Sequence, residues 1–434
     1  NMANNAIFPK FEAFGNQLEI SNFFERVDYK GGFSIIGQRF FASGTKDVKA
    51  HFRFWYDSSA VLDLRAERFV IRSDELISKD AEVSFKLQGD SLYHLKSNIT
   101  YNPIDEMLRV DRPSKGLALT PFKDSYHNLV MDIDQIRWKT SEPMFTLGGI
   151  NMGDGSPVTI ESDQYFRSSR YSELQGLDLE NPLVKIDEVG KTYGYKSIGL
   201  YQMAVGLGMP LESCERFLME LAIDGFVRYG LEKREVEVLP KTTEYILNNS
   251  NGRDYDVIRF LSSVGKGMNA MVSLLDFDME VWGVRTIALS DSQKVALYPE
   301  SQKVLIHKNL NFDFDGRIEA GRFTFYSRQN KFDYKLFRFN MPVIDSMKFS
   351  VPSFKLMPDG SRPLVRVRNT IENISGELLI DNPSNKSSYQ RYPQYPIFKS
   401  EKSAKIFYDE AFDGVYQRDK FFVKIDPFEI CLLY

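Results

Sequence analysis

The chain has 434 residues, a hydrophobic fraction of 43% and a charged fraction of 26%, values that exclude wholesale disorder and leave room for about two to four domains. A formal net charge of −4 excludes a global pull toward nucleic acid or an anionic membrane surface. No run of about 18 apolar residues occurs, so no transmembrane helix is expected. Phe 34 and Tyr 22 against Trp 3 favour extended, pleated structure, because aromatic rings pack well on half-buried sheet surfaces.

Asn1–Lys10 has neither the basic nor the apolar stretch of a signal peptide, and the sequence closes on an apolar, strand-like run, Phe428–Tyr434. These ends are the pattern expected of a segment of a longer polypeptide. From Phe8 to about residue 160 the apolar residues mostly alternate: Phe33 and Ile35; Phe52, Phe54 and Tyr56; Phe69 and Ile71; Val83, Phe85 and Leu87. Turn-like stretches punctuate them at Gly31–Gly32, Ser43–Lys46, Arg72–Glu75, Gly89–Ser91 and Asn102–Pro103. Many short strands with close turns predict a sandwich, barrel or solenoid over residues 1–160. Gly148–Pro157 reads as the loop leaving that region.

A helical block is expected over 161–280. Asp163–Asn181 reads as a polar helical approach. Leu200, Met203, Ala204 and Leu207 then recur at i, i+3, i+4 and i+7, Gly208 stops that helix, and Pro210 opens the next. Cys214, Phe217, Leu218 and Leu221 repeat the spacing, and Gly225 ends the helix. Phe226–Tyr229 and Glu235–Leu239 read as two short strands around the charged turn Gly230–Arg234. Asn248–Asp254 reads as a breaker, and Tyr255–Leu275 has helical spacing at Ile258, Leu261, Met268, Met271, Val272 and Leu275, divided by Gly265 and Gly267.

The run LYQMAVGLGMPLESCERFLMELAIDGFVRYGLEKREVEVLP resembles the winged-helix family, over about residues 182–247. The resemblance implies that fold and, in DNA-binding members, a second helix laid in the major groove with phosphate contacts supplying affinity. The matching outward positions here are Leu211, Glu212, Ser213, Glu215, Arg216 and Met219. Between Pro210 and Asp224 stand four acids, Glu212, Glu215, Glu220 and Asp224, and one base, Arg216. Carboxylates on a reading face repel phosphates and release no counterions, and Glu232 and Glu235 flank the wing cations Lys233 and Arg234. The block therefore reads as a protein-docking or packing module, with Glu212, Glu215, Arg216, Met219 and Glu220 as docking candidates. The partner is another protein or another segment of the same polypeptide, and nucleic acid is disfavoured.

From Val281 alternation returns and lasts to the end, with ring pairs at Phe312 and Phe314, Phe323 and Phe325, Phe337 and Phe339. Residues 281–434 thus form a second β-rich region, and the expected fold class is mixed but mostly β: two β-rich regions flanking a central helical winged-helix block. AERF at 66–69 and AGRF at 320–323, and FDG at 314–316 and 412–414, suggest a repeated β-unit. In strand style both regions resemble the β-rich repeats of large cell-envelope proteins of Bacteroidetes-type bacteria, which implies an envelope location in place of the cytoplasm.

Chemistry-bearing patterns are sparse. His51, His94, His127 and His307 are scattered without metal-ligand spacing, so no metal or cofactor is expected. Cys214 sits at a core-facing helical position and reads as a small hydrophobe, and Gly265–Lys266–Gly267 lacks the strand and the glycine of a phosphate loop. Asp132 and Asp134, Asp276 and Asp278, and Asp313 and Asp315 are i, i+2 pairs whose alternation with rings turns them to water. Tyr392, Tyr395 and Phe398 recur every three residues among prolines, the spacing of a polyproline strip whose rings either lie over the adjacent sheet as a cover, the favoured reading, or dock a sugar or a partner groove. A non-enzymatic structural or protein-interaction segment is the leading expectation. A glycan-binding or glycan-processing protein using Trp55, Trp138 and Trp282 with nearby acids stands second, and a DNA-binding regulator third.

Overall fold

The computed structural model describes residues 10–13, 18–37, 39–45, 48–72, 74–113, 120–149, 157–176, 178–230, 233–250, 252–265, 267–367, 370–408 and 415–432. The chain is mostly β, with 50% strand, 14% helix and five α-helices among those residues, and its strands form a large antiparallel sheet that is not a closed barrel. By contact it divides into two compact units, both discontinuous in sequence. One comprises 1–158, 169–246 and 264–279, the other 159–168, 247–263 and 280–434.

In the first unit, antiparallel pairing runs in one direction from the strand Leu18–Phe24 through Val27–Ile36, Ala50–Tyr56, Ser59–Ala66, Leu76–Leu87 and Asp90–Asn102. It continues through Met107–Asp111, Gln135–Lys139 and Met144–Gly148 to Ala270–Ser273. Alternation decides which side chains go inward. Phe52, Phe54, Leu62, Leu64, Val83 and Phe85 are all buried, and they face one another in register: Phe52 opposite Leu64, Phe54 opposite Leu62, Leu62 opposite Phe85. Burying each such ring contributes about 2–3 kcal/mol. The sheet curls, because Phe54 lies 6.3 Å from Trp138, a residue five strands further along the pairing order.

Two strand readings need correction. Gly31 and Gly32 lie inside the strand Val27–Ile36 and make no turn. Beyond them the burial phase inverts, so Ser34 is buried while Phe33 and Ile35 are only half-buried. Glycines without side chains let the strand change face there.

The helices are α1 Ser168–Gln175, α2 Pro182–Thr192, α3 Leu200–Leu207, α4 Leu211–Ile223 and α5 Pro240–Asn249. Asn181 caps α2 by accepting from the Leu183 N–H at 2.9 Å. Gly208 ends α3 in the left-handed region (φ 66), and Pro210 is the N-cap of α4, one position before the helix. The short strands Val227–Gly230 and Glu235–Val238 form an antiparallel hairpin, and Ile198–Gly199 adds a third strand beside Glu235–Val238.

Tyr255–Leu275 is not helical. It holds the strands Arg259–Ser262 and Ala270–Ser273, with Ile258, Phe260, Ala270 and Val272 buried. Leu261 and Leu275, read as part of a helical stripe, are 41% and 71% exposed. Two periods overlap in this stretch, and pairing with Met144–Gly148 selects the period-two one.

In the second unit, pairing runs Ile287–Ser290, Val295–Pro299, Phe312–Ala320, Phe323–Asp333, Arg338–Pro352, Ile371–Leu379, Ile397–Ser400 and Glu429–Cys431. The expected ring pairs are buried on the inner face, where Phe312 and Phe332 approach to 4.6 Å. The AERF and AGRF stretches do not occupy equivalent places. Ala320 and Phe323 flank a hairpin turn between paired strands. By contrast, Ala66 and Phe69 lie in successive strands, Ser59–Ala66 and Arg68–Ile71, that both pair with Leu76–Leu87. Of the two FDG triplets, 314–316 is inside a strand and 412–414 lies outside the described residues, as does Lys266.

Candidate functional site

Helix α4 carries the outward positions singled out in the sequence, and α3 packs against it. Leu200, Met203, Ala204 and Leu207 of α3 and Cys214, Leu218, Leu221 and Ala222 of α4 are buried, which fixes the opposite faces as exposed. On α4, Glu212, Arg216 and Glu220 follow one another at i, i+4 spacing and all face water, with Met219 half-buried beside them. Among the described residues, none of those three charges has an ion-pair partner within 4 Å.

Glu215 is placed differently. It accepts hydrogen bonds from the buried Tyr229 hydroxyl at 2.5 Å and from Arg234 at 3.0 Å, so it ties α4 to the following hairpin. Burial, followed by the hydrogen bond and charge of Glu215, pushes the Tyr229 phenol up and keeps it a donor. Two residues were missed by the sequence reading: Tyr201 and Val205 of α3 are 71% and 63% exposed and lie one turn apart. Their signal was available, since both fall off the buried stripe of their own helix.

The aromatic strip does not form. Phe398 is fully buried in the strand Ile397–Ser400, 5.0 Å from Phe325. Tyr392 and Tyr395 are half-buried and edge to face at 6.4 Å, joined by a turn in which the Tyr395 N–H donates to the Tyr392 carbonyl. A turn cannot hold the three-residue repeat of an extended polyproline run. The tryptophans are also unsuited to a shared stacking platform. Trp138 is 1% exposed, and the Trp55 indole N–H is bound to Asp28 at 2.8 Å.

The carboxylate pairs sit outward as expected, and Asp132 and Asp134 share Arg112 at 2.5 and 3.1 Å. Asp313 lies 3.4 Å from His307. His51 binds Asp63, His94 binds Ser97 and the Thr120 carbonyl, and His127 binds Asp124 in a fully buried pair. No group of three or more potential metal ligands gathers among the described residues. Burial pushes the Cys214 thiol up to about 11, so it stays protonated and unreactive at neutral pH.

Asp256 is a fully enclosed carboxylate of the second unit. It accepts from the Ser162 hydroxyl at 2.7 Å, the Tyr334 hydroxyl at 2.7 Å and the Ile258 N–H at 2.9 Å. Burial pushes its carboxyl up from 3.8 to about 6, against the pull of those three donors. The folded state therefore binds a proton that the unfolded state releases between about pH 4 and pH 6, and stability from this group falls as pH rises through that window. Urea unfolding at stepped pH should show that decline, and Asp256→Asn should flatten it; an unchanged slope would refute the assignment.

No protein-family model matches the chain, and neither does any curated protein or any solved structure. Among the described residues no helix is long and apolar enough to cross a membrane.

Proposed function

We propose that this chain is a non-enzymatic structural and protein-interaction segment, in which residues 182–247 form a winged helix used for docking. The order α2, Ile198–Gly199, α3, α4 and the Val227–Val238 hairpin supports the winged-helix reading. The observation that carries the function is the exposed outer face of α3 and α4. It offers apolar Tyr201 and Val205 on α3 and, on α4, Glu212 and Glu220, which have no ion-pair partner among the described residues, with Arg216 the single cation of the α4 stripe. Phosphates are repelled by such a face, whereas a protein segment with apolar and lysine-rich sides complements it. The partner is accordingly a cationic, amphipathic protein segment.

The test uses the whole chain and a Leu/Lys amphipathic helical peptide, with a Leu/Glu peptide and a DNA duplex as comparators. The Leu/Lys peptide should bind, and Glu212→Lys with Glu220→Lys should weaken it about tenfold, a change of about 1.4 kcal/mol, without moving the urea midpoint. Equal binding of the variant would overturn the proposal. So would duplex binding at low salt that is lost when Arg216, Lys233 and Arg234 are replaced, which would favour a DNA-binding regulator.

A further inference from the structure

A cleft of about 480 Å³ opens on the outer face of the first unit's sheet, where the strands Arg68–Ile71, Leu76–Leu87 and Asp90–Asn102 meet. Its shape comes from two bulges in one ladder. Ser78 pairs with Ile99 and Ala81 with Ser97, so Lys79 and Asp80 together face the single residue Asn98. Ala81 pairs with Ser97 and Val83 with His94, so Leu95 and Lys96 face the single residue Glu82. One extra residue on each strand in turn bends the pair and re-aims the side chains, and Asp80 takes the left-handed conformation (φ 57) that the first bulge requires.

The floor of the cleft is apolar where a solvated face should be polar. Val70 and Ile77 lie directly opposite each other and are half-buried, as is Leu95. The residues that follow on the same outer face of Leu76–Leu87 are Glu82, Ser84 and Lys86, the ordinary polar pattern. Above this floor stand four cations, Lys49, Arg68, Lys79 and Lys96, and two acids, Glu67 and Asp80. Lys49 is held by Glu82 at 2.7 Å. Among the described residues, Arg68, Lys79 and Lys96 have no carboxylate within 4 Å, and the Arg68 guanidinium lies 5.2 Å from the centre of the Phe41 ring. A cationic excess over an apolar floor, in a chain of net charge −4, is a local arrangement that composition does not explain.

We propose that this cleft binds an amphiphilic anion, a carboxylate or phosphate head group on an acyl chain. The head group engages Arg68, Lys79 and Lys96, and the chain lies on Val70, Ile77 and Leu95. The volume is within the range of small-molecule sites, and each half of the ligand replaces water at a surface that matches it. The site is separate from the α3–α4 docking face and does not depend on it.

Calorimetric titration of the whole chain tests this with dodecyl phosphate and dodecanoate below their micelle concentrations, inorganic phosphate, and a neutral dodecyl glycoside. At least one dodecyl anion should bind with a Kd of about 100 μM or tighter, and the better of the two identifies the head group. Inorganic phosphate and the neutral glycoside should each bind at least about tenfold more weakly. Lys79→Ala with Lys96→Ala should weaken the anion about tenfold, and the urea midpoint serves to show that the variant stays folded. Added salt should weaken the remaining affinity. Inorganic phosphate binding as tightly as the amphiphile, a folded variant that binds like the parent, or no heat from either anion up to about 1 mM would overturn the proposal.

Discussion

Replacing Trp138 by alanine is expected to lower the unfolding free energy by about 4 kcal/mol, the largest effect foreseen for a single substitution here. The indole is 1% exposed and packs its edges against Phe54 and Phe85, at 6.3 and 6.1 Å between ring centres. Its N–H donates to the Glu142 carbonyl at 3.0 Å, so truncation also leaves that acceptor without its donor. The cavity would open between strands that the curl of the sheet brings together, where neighbouring backbone cannot easily collapse into it. Trp55→Ala is the comparison. That residue is only half-buried, and its removal should cost markedly less. Urea or thermal unfolding of the two variants measures the difference. Equal losses would mean that Trp138 is not a core residue, and would restore the reading of the tryptophans as an exposed binding set.

Asp63→Asn is expected to cost about 2–3 kcal/mol at neutral pH. Asp63 lies on the outer face of the first unit's sheet, where four basic side chains converge on it from three strands. His51 and Arg53 approach to 2.8 Å, Lys86 to 3.0 Å and Arg65 to 4.0 Å. Burial pushes its carboxyl up, but hydrogen bonds from His51, Arg53 and Lys86 together outweigh this and hold it well below the usual carboxylate range. The expected cost is below that of a fully buried pair because Arg53 and Lys86 are 35% and 38% exposed and partly screened by water.

Sign follows from the direction of the shift. A depressed carboxyl contributes stability that is present above about pH 4 and is lost as the pH falls below it. This is opposite to Asp256, whose contribution falls as the pH rises from about 4 to 6. The Asn variant at position 63 should therefore show a shallower acid limb, read from the urea midpoint between about pH 2 and 5. A midpoint unchanged at neutral pH would show that the cations do not depend on this carboxylate.

Much of the local structure was legible in the chain. Alternation placed Phe52, Phe54, Val83 and Phe85 on the buried side, and a 3.6-residue stripe placed Leu200, Met203, Ala204 and Leu207 inside α3. Each is a local property, since the geometry of one strand or one helix fixes which side chains share a face. The docking candidates were half legible. Glu212, Arg216 and Glu220 are exposed as expected, but Glu215 is spent on Tyr229 and Arg234, partners 14 and 19 residues away. Tyr255–Leu275 failed because both periods fit the same residues and only the pairing of Ala270–Ser273 with Met144–Gly148 chose between them.

The sequence by itself determined a mostly β chain, the phase of most strands, the buried stripes of two helices and the acidic character of α4. The tertiary structure decided which faces were left to water. It buried Trp138 and Phe398 and gathered His51, Arg53, Arg65 and Lys86 around Asp63. It also opened the cationic cleft by bulging one ladder twice. The physical reason is the same in each case. Periodicity states which residues share a side, but the environment of that side is set by strands and turns far away in sequence, through pairing and curl.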